Sequence, residues 1–493
     1  MSSSRYSSPP NWLIALIVVI PYLGFWLYGL TDLDEGFYGA VVTDMLRRGD
    51  WITPTYNGLP WFEKPILSYW LSMPFVSVMH NEFGARLPSF LCTLATGFVL
   101  FRFLSKWTQV QAGQLALLVF SGNILVVAIG RMMMTDAALM LSLTLAFATF
   151  FESLHGEKKW RLVSAAMVGV GVLAKGPVAG LLFLGVIGLT YWQLRYLRPK
   201  FRGLWLPGFV ICLAVIATWY VPAYLANGQV FIDKFLIEQN IGRFTGGDKA
   251  HSISEVLKNY AWLVRFLANI LFFPLVVLIA GAPWFLSLRK AKTAITEHLV
   301  KTPEHDLKTY LQIWFLVIIG FFTLSGTKLP HYILPAMVPL SALIGWSLTE
   351  QIKGVFLLQR KHLILAGCWS VFMLILANYV FLTDYYRKYQ PVQTAAKHAW
   401  KEGREFAVYQ PHLTNKKDQN GSLEMLPTSN PSLLFYYRKP LTFINSEDEL
   451  DALKEKNPLV LTIKEKASPK LRPIEAYPES NPDWKTWLYE IED

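Results

Sequence analysis

Two short charged segments near the start of the chain carry residue types suited to acid–base chemistry and to anion binding. Asp34 and Glu35 are adjacent, and Glu63 and Lys64 follow aromatic residues and precede Pro65. A carboxylate such as Asp34 could deprotonate or position an acceptor. The ammonium of Lys64 could bind a phosphate as a point charge, while Glu63 could orient that phosphate or bind a cation.

Both segments also have a structural interpretation. Asp34 stands at the expected start of a helix, where aspartate is favoured as an N-cap and complements the helix dipole. Lys64 could extend its ammonium towards the membrane surface or pair with Glu63. For Asp34 the two interpretations are compatible, because a capping side chain is well fixed.

Further charged residues lie in other connections on the same predicted side of a membrane. Arg131 and Asp136 flank residues 132–135, Lys175 precedes a Gly-Pro pair, and Lys328 is close to His331. Residues of this kind more often anchor a helix end than bind a ligand. Together with the first loop they would form the cationic face that a diphosphate or phosphate-sugar site needs.

The composition places these residues in a membrane protein. Of 493 residues, 53% are hydrophobic and only 16% are charged, which excludes an ordinary soluble protein and a disordered chain. The net charge of +11 would suggest a nucleic-acid partner in a soluble protein, but the cation bias of cytoplasmic loops explains it more simply. Cys92, Cys212 and Cys368 lie in hydrophobic runs without the spacing of a metal or redox motif.

The long apolar runs predict a mainly α, polytopic fold with about eleven (11–13) transmembrane helices. A break at Gly176-Pro177 separates two short spans. The predicted spans are 11–31, 83–104, 111–130, 133–151, 161–175, 177–194, 205–226, 262–287, 310–326, 331–349 and 362–382.

Basic residues are concentrated in every second connection, which places the N-terminus in the cytoplasm and, with eleven spans, the C-terminus outside. The outer segments are then loop 32–82, loop 227–261 and the tail from residue 383. In the first loop, apolar residues at helical spacing predict two short helices, near 37–46 and 66–79, that lie in the membrane interface.

The chain is expected to form two domains, a transmembrane domain at 1–382 and an extracytoplasmic α/β domain at 383–493. In the tail, a helix at 447–456 begins with Ser446 and Glu449, a plausible capping box. Strand–helix–strand alternation indicates a small α/β fold. The predicted strands are Phe406–Tyr409, Leu441–Ile444 and Leu459–Ile463.

At family level, the order of several motifs resembles the bacterial GT-C membrane glycosyltransferases. This branch includes the aminoarabinose transferases that modify lipid A, and it is related to the protein O-mannosyltransferases. The resemblance covers about residues 12–382. The motifs are Asp34-Glu35-Gly36-Phe37-Tyr38, Gly49-Asp50-Trp51, Asn57-Gly58, Phe62-Glu63-Lys64-Pro65, Lys175-Gly176-Pro177, Asn240-Ile241 with Arg243-Phe244, and Lys328-Leu329-Pro330-His331-Tyr332-Ile333-Leu334-Pro335.

The resemblance implies a GT-C fold in the bacterial inner membrane, an extracytoplasmic active site, a polyprenyl-phosphate sugar donor and inversion at the anomeric carbon. It makes Asp34 the candidate base or acceptor-positioning carboxylate. Lys64 and Tyr38 become candidate contacts of the donor phosphate. The full expected set comprises the catalytic residues Asp34, Glu35 and Asp136, and the donor-binding residues Lys64, Tyr38, Arg131, Lys175, Arg243, Lys328, His331 and Tyr332.

The resemblance also implies a metal site for a divalent ion, Zn²⁺ or Mg²⁺, at Glu63 and His251. A nucleotide cofactor is not expected, because the sequence has no GxGxxG or P-loop string. Trp61 and His331 depart from the Tyr and Thr that are common in the family, which leaves the sugar and the acceptor open.

The predicted function is transfer of a sugar to a lipid A, glycolipid, polysaccharide or protein acceptor. The alternative is a flippase or transporter of lipid-linked sugars. The helix break at Gly176-Pro177 would suit a transporter, although the polar residues cluster at one face of the membrane and not at its midplane. A non-catalytic scaffold is a third possibility. The expected partners are the polyprenyl-linked sugar, a lipid or glycan acceptor and the membrane, with no nucleic acid, and the protein is expected to be a monomer.

Overall fold

A computed structural model describes residues 11–32, 34–242, 262–287, 302–351, 356–384, 390–409, 430–444, 446–462, 468–477 and 486–491. The chain forms two compact units. The first comprises Met1–Leu23, Phe62–Ser68 and Pro88–Ala377, and the second comprises Gly24–Trp61, Tyr69–Leu87 and Asn378–Asp493.

The described part of the chain is mainly helical. A π-helix at Ile232–Gly242 follows α11, and 3₁₀ turns lie at Ile20–Tyr22, Arg195–Phe201, Pro330–Ala336 and Lys454–Lys456. The α-helices are α1 (Asn11–Val19), α2 (Asp34–Arg48), α3 (Leu67–Met79), α4 (Glu82–Trp107), α5 (Val110–Ser121), α6 (Ile124–Gly130), α7 (Thr135–His155), α8 (Trp160–Lys175), α9 (Val178–Gln193), α10 (Trp205–Asn227), α11 (Gln229–Phe231), α12 (Trp262–Ala280), α13 (Trp284–Ser287), α14 (Pro303–Leu324), α15 (Met337–Gln351), α16 (Phe356–Asp384), α17 (Gln390–Glu402), α18 (Leu433–Tyr437) and α19 (Glu447–Leu453).

Seven helical segments within the described residues are long and apolar enough to cross a membrane, and the pair α5–α6, bent by 66°, would make eight. The chain is therefore a multi-pass membrane protein, as predicted. Helices occur at all eleven predicted positions, but α1, α8 and α9 are short, so the count of eleven stays a prediction. The seven segments are Glu82–Trp107, Thr135–His155, Trp205–Asn227, Trp262–Ala280, Pro303–Leu324, Pro330–Thr349 and Lys361–Thr383.

The first predicted span is too long by about nine residues, since its helical part ends at Tyr22 and not at residue 31. Pro21 cannot donate to the helical hydrogen-bond ladder. Gly24 follows with a φ of +83°, a left-handed conformation that ends a helix. Residues 23–32 therefore form an irregular connection to α2.

Helix α7 is the centre of the first unit, because its apolar segment is buried over most of its length, whereas the surfaces of α10 and α12 are largely exposed. Helices α7 and α8 form a hairpin, and α10 packs closely on α8. Gly169 permits this approach, since a Cβ at that position would lie 2.8 Å from the Val215 side chain. The exposed apolar faces of α10 and α12 suit contact with lipid.

The second unit contains α2, most of α3, the tail and two sheets. Strands β1 (Thr55–Tyr56) and β2 (Leu59–Pro60) form a small antiparallel hairpin. The tail sheet has the order β4-β3-β5-β7-β6, in which β3 pairs in parallel with β4 and β5, and β7 pairs antiparallel with β5 and β6. Its strands are β3 (Phe406–Tyr409), β4 (Thr442–Ile444), β5 (Leu459–Thr462), β6 (Leu471–Tyr477) and β7 (Thr486–Ile491).

The tail is hydrogen-bonded to the first loop within this second unit. The Tyr436 hydroxyl accepts from the Leu30 N–H at 2.7 Å. Asn57 exchanges two hydrogen bonds with the backbone of Leu441, at 2.9 and 2.8 Å. The predicted domain boundary at 382/383 would separate the tail from the transmembrane domain, and it stays a prediction. The compact unit that contains the tail also contains most of the first loop.

Candidate functional site

The first unit holds a buried ion pair between the start of α7 and the end of α8. The Lys175 ammonium donates to the Asp136 carboxylate, and the two side chains are only 12% and 2% exposed. Asp136 lies in the first turn of its helix and Lys175 in the last turn of its own. Each charge is thus at the helix end where the dipole stabilises it.

Other basic side chains are close to the same carboxylate. Lys64 and His331 both interact electrostatically with Asp136. The Lys175 ammonium lies 4.6 Å from the ring centre of Tyr332, and the rings of Tyr332 and His331 are 5.0 Å apart. We name these five residues the Asp136 cluster. With two lysines and a histidine against one carboxylate, the cluster favours binding of an anion.

Three connections of the fold position the Asp136 cluster. Lys64 lies in the segment before α3. Asp136 and Lys175 pair at the open end of the α7–α8 hairpin, and His331 with Tyr332 begins the 3₁₀ turn before α15. The turn and α7 are packed together in the first unit. The sequence predicted all five residues, and the structure brings them together.

Arg131 and Lys328, two other predicted donor contacts, are buried and bind backbone carbonyls. The Nη1 atom of Arg131 donates to Pro21 O at 2.8 Å and to Leu23 O at 2.9 Å. These two hydrogen bonds fix the end of the first helical segment. The Lys328 ammonium donates to Phe322, Thr323 and Ser325 at 2.6–2.9 Å and so satisfies the carbonyls at the end of α14. These bonds give both residues structural roles, and their contact with a donor stays a prediction.

The adjacent carboxylates Asp34 and Glu35, in the second unit, have different surroundings. Glu35 is fully buried and receives both arms of the Arg86 guanidinium, at 2.6 and 2.7 Å. Thr31 also donates to it through its N–H and its hydroxyl. Asp34 is exposed in the first turn of α2. An exposed carboxylate can meet an acceptor, whereas Glu35 is engaged with Arg86.

Tyr38 lies one turn after Asp34 on α2, and its side chain is buried. Its ring packs edge-on against Tyr69, with centroids 6.1 Å apart. This contact ties α2 to the helix that follows Lys64 in the chain. The predicted contact of Tyr38 with a phosphate stays a prediction.

Asp32 is a further charged residue of the second unit. The N–H and the hydroxyl of Ser432 donate to its two oxygens at 2.9 and 2.8 Å. Burial, with a smaller effect from the neighbouring Glu35, raises the pKa of Asp32 to about 8, although the hydrogen bonds from Ser432 oppose this change. This carboxyl therefore titrates near neutral pH.

The predicted metal site is only partly within the described residues. Glu63 is half-buried, whereas His251 and the predicted donor contact Arg243 lie outside the described residues. In the described part of the chain, no three His, Cys, Asp or Glu side chains come close enough to hold a metal ion.

Sequence reasoning missed Arg86 and Asp32. Arg86 lies inside the predicted span 83–104, and an ionisable residue in such a span usually has a partner or a function. That signal could have identified Arg86, but not its bonds to the carbonyls of Phe25, Tyr28 and Gly29 at 2.6–2.8 Å. No sequence signal connects Asp32 with Ser432, because 400 positions separate them.

Comparison with known proteins relates the sequence to lipid-dependent sugar transferases. Residues 63–221 match the family described as dolichyl-phosphate-mannose-protein mannosyltransferase. An uncharacterized protein of Aquifex aeolicus is 29% identical over 375 residues, which are 75% of this chain and 79% of that protein. An undecaprenyl phosphate-alpha-4-amino-4-deoxy-L-arabinose arabinosyl transferase of Shewanella sediminis is 29% identical over 346 residues, 67% of this chain and 59% of that relative's length.

Solved structures identify the fold. The crystal structure of ArnT from Cupriavidus metallidurans bound to undecaprenyl phosphate matches with a TM-score of 0.73 at 19% identity, over 97% of both chains. The apo structure of the same protein matches with a TM-score of 0.70. The fold is therefore the GT-C fold, as predicted. The sequence matches are to aminoarabinose transferases and to the protein mannosyltransferase family, and together with the fold they confirm the resemblance found in the motifs.

Proposed function

We propose that this chain is an inverting glycosyltransferase, which moves a sugar from a polyprenyl-phosphate donor to an acceptor at the extracytoplasmic face of the inner membrane. The observation that carries the proposal is the Asp136 cluster, a partly buried group of cations in a GT-C fold. The names of the relatives agree with a lipid-linked donor, although the chain spans only about 59% of the length of such a relative.

In this proposal Lys64 and Lys175 bind the donor phosphate. As the bond between the anomeric carbon and the phosphate oxygen breaks, negative charge grows on the leaving polyprenyl phosphate. Cations held in place beforehand stabilise that charge without reorganising water. Lys175 is held by the Asp136 carboxylate and the Tyr332 ring, so its ammonium is already oriented. His331 adds a further donor to the same cluster.

The acceptor oxygen attacks the anomeric carbon from the face opposite the phosphate, which inverts the configuration. The phosphate oxygen keeps the electron pair of the broken bond. If the acceptor is a hydroxyl group, its proton passes to the exposed Asp34 carboxylate. If the acceptor is itself a phosphate, no proton needs to leave, and Asp34 only positions it.

The acceptor class stays broad, because lipid A, another glycolipid, a polysaccharide and a protein all offer suitable oxygens. The proposed orientation has the N-terminus in the cytoplasm and the tail outside, on the basis of the cation distribution. We further propose that the protein acts as a monomer without a nucleotide cofactor. A divalent metal, Zn²⁺ or Mg²⁺, at Glu63 and His251 is also part of the proposal.

The test is to incubate purified protein with a panel of polyprenyl-phosphate sugars and a membrane lipid extract. Release of polyprenyl phosphate and formation of the glycosylated product are followed by mass spectrometry. Wild type should release the carrier, and Lys64→Ala should lose most of the activity. Lys159→Ala is the matched control, since Lys159 is an exposed lysine that pairs with Glu157 far along the chain from the cluster.

A second variant separates the proposed roles of the charged residues. For a hydroxyl acceptor, Asp34→Asn should still bind the donor but lose turnover. The proposal is wrong if no donor is consumed with any acceptor fraction while reconstituted vesicles move the donor across the bilayer. That outcome would establish the transporter instead.

A further inference from the structure

An apolar groove lies between α8, α9 and α10, and no residue of the Asp136 cluster lines it. Its volume is about 510 Å³. Its walls are almost entirely apolar and include Val168, Leu184, Phe209 and Ile216. Gly180 also lines the groove, and a Cβ built there would meet no atom within 4 Å. The groove is thus open space at this position.

One end of the groove contains a buried charge. Arg161, at the start of α8, lines the groove and is only 2% exposed. Its terminal nitrogens donate to the carbonyls of Lys200, Phe201 and Gly203 at 2.7–2.8 Å. Its Nε–H has no hydrogen-bond partner within the described part of the chain. A buried donor without an acceptor is costly and marks a place where a ligand oxygen would be stabilised.

The same end of the groove carries exposed basic residues. Lys158 precedes Arg161 in the chain, and Arg195, Lys200 and Arg202 lie in or next to the 3₁₀ segment whose carbonyls Arg161 binds. All four side chains are exposed. Basic residues at a membrane surface attract anionic lipid headgroups.

These features do not coincide with the proposed donor site. Arg161 and Lys175 lie near opposite ends of α8, and fourteen residues at a rise of about 1.5 Å place them about 21 Å apart along the helix. A phosphate at the Arg161 end would therefore be well separated from one at the Asp136 cluster.

We propose that the groove binds one acyl chain of an anionic phospholipid, with the headgroup phosphate at Arg161 and the surrounding basic residues. The apolar walls accommodate the chain, the unpartnered Nε–H meets a phosphate oxygen, and the exposed cations select a negative headgroup over a zwitterionic one. The bound lipid would fill the space between α8, α9 and α10 and fix the loops at this end. The proposal does not depend on the proposed sugar transfer.

The test uses native mass spectrometry of the purified full-length protein with phosphatidylglycerol and phosphatidylcholine of equal chain length. Wild type should retain one phosphatidylglycerol in preference to phosphatidylcholine. Gly180→Leu fills the groove and should lose this lipid. Gly188→Leu is the matched control, because Gly188 is on the same helix, also has no atom within 4 Å of a built Cβ, and does not line the groove.

A second pair of variants tests the headgroup end without disturbing Arg161. Lys200→Gln and Arg202→Gln should each reduce the preference for phosphatidylglycerol about fivefold, the factor typical of one basic residue at an anionic surface. Equal retention of both lipids by wild type would overturn the proposal, as would unchanged retention by Gly180→Leu. If undecaprenyl phosphate displaces phosphatidylglycerol from wild type, the groove belongs to the donor and the proposal is wrong.

Discussion

The most direct consequence of the structure concerns two adjacent carboxylates that the sequence did not distinguish. Glu35 is fully buried in a two-armed ion pair with Arg86, whereas Asp34 is exposed one residue before it. We expect Glu35→Gln to destabilise the protein and Asp34→Asn to leave its stability unchanged. Arg86 would remain buried without a compensating charge in the first variant, and nothing comparable occurs in the second.

The size of the effect follows from the burial of the pair. Removing one partner of a buried ion pair costs about 3–5 kcal/mol. At about 2–4 °C for each kcal/mol in a unit of 150–250 residues, the Tm should fall by roughly 6–20 °C. Arg86 also holds the carbonyls of Phe25, Tyr28 and Gly29, so unfolding should begin in the second unit.

The assay is thermal unfolding of the full-length protein in detergent, followed by intrinsic tryptophan fluorescence. Asp34→Asn serves as the control, since it removes the same charge one position away. A double variant, Glu35→Leu with Arg86→Met, should recover part of the lost stability because it removes both buried charges. An equal Tm for wild type and Glu35→Gln would refute the structural role of the pair.

Three further outcomes are expected. Lys175→Ala should lower both turnover and Tm, because Asp136 would stay buried without its partner. Lys64→Ala changes a half-buried position and should lower turnover alone. Equal Tm values for the two variants would contradict this expectation. Stability should fall as pH rises from about 4 to 8, because the raised pKa of Asp32 makes the folded state bind more protons than the unfolded state in that range. Asp32→Asn should flatten this dependence in a series of Tm measurements, and an unchanged slope would show that another group causes it. EDTA should lower turnover and Zn²⁺ or Mg²⁺ should restore it, as a metal site at Glu63 and His251 requires; full activity after complete chelation would exclude that requirement.

Much of the fold could be predicted because apolar length and strand–helix alternation are local signals. The strand Phe406–Tyr409 has the predicted bounds, and the helix that begins after Ser446 has its predicted cap, with the Glu449 N–H donating to the serine hydroxyl at 3.4 Å. The two C-terminal strands, β6 and β7, were missed. Charged and polar residues interrupt the alternation of apolar and polar positions in both strands. Each strand also depends on pairing with a neighbouring strand, which a local sequence pattern does not show.

The candidate site was predictable where the residues end helices or stand in motifs. Asp136 and Lys175 lie at helix ends on consecutive helices, so their contact follows from an antiparallel hairpin. Glu35 and Asp34 could not be separated, because only the tertiary position of Arg86 makes one of them structural. The contact between the first loop and the tail was equally hidden, since it joins segments several hundred residues apart.

The measurement that tests the central claim most directly is binding of undecaprenyl phosphate alone to the purified protein. Wild type is compared with Lys64→Ala and His331→Gln, with Lys159→Ala as the control for loss of a remote lysine. If the Asp136 cluster holds the donor phosphate, Lys64→Ala should weaken binding of undecaprenyl phosphate by about 10- to 100-fold, as expected for a lost hydrogen bond to a charged group. Lys159→Ala should bind it like wild type. An unchanged Kd for both cluster variants would contradict the assignment of the phosphate to this cluster.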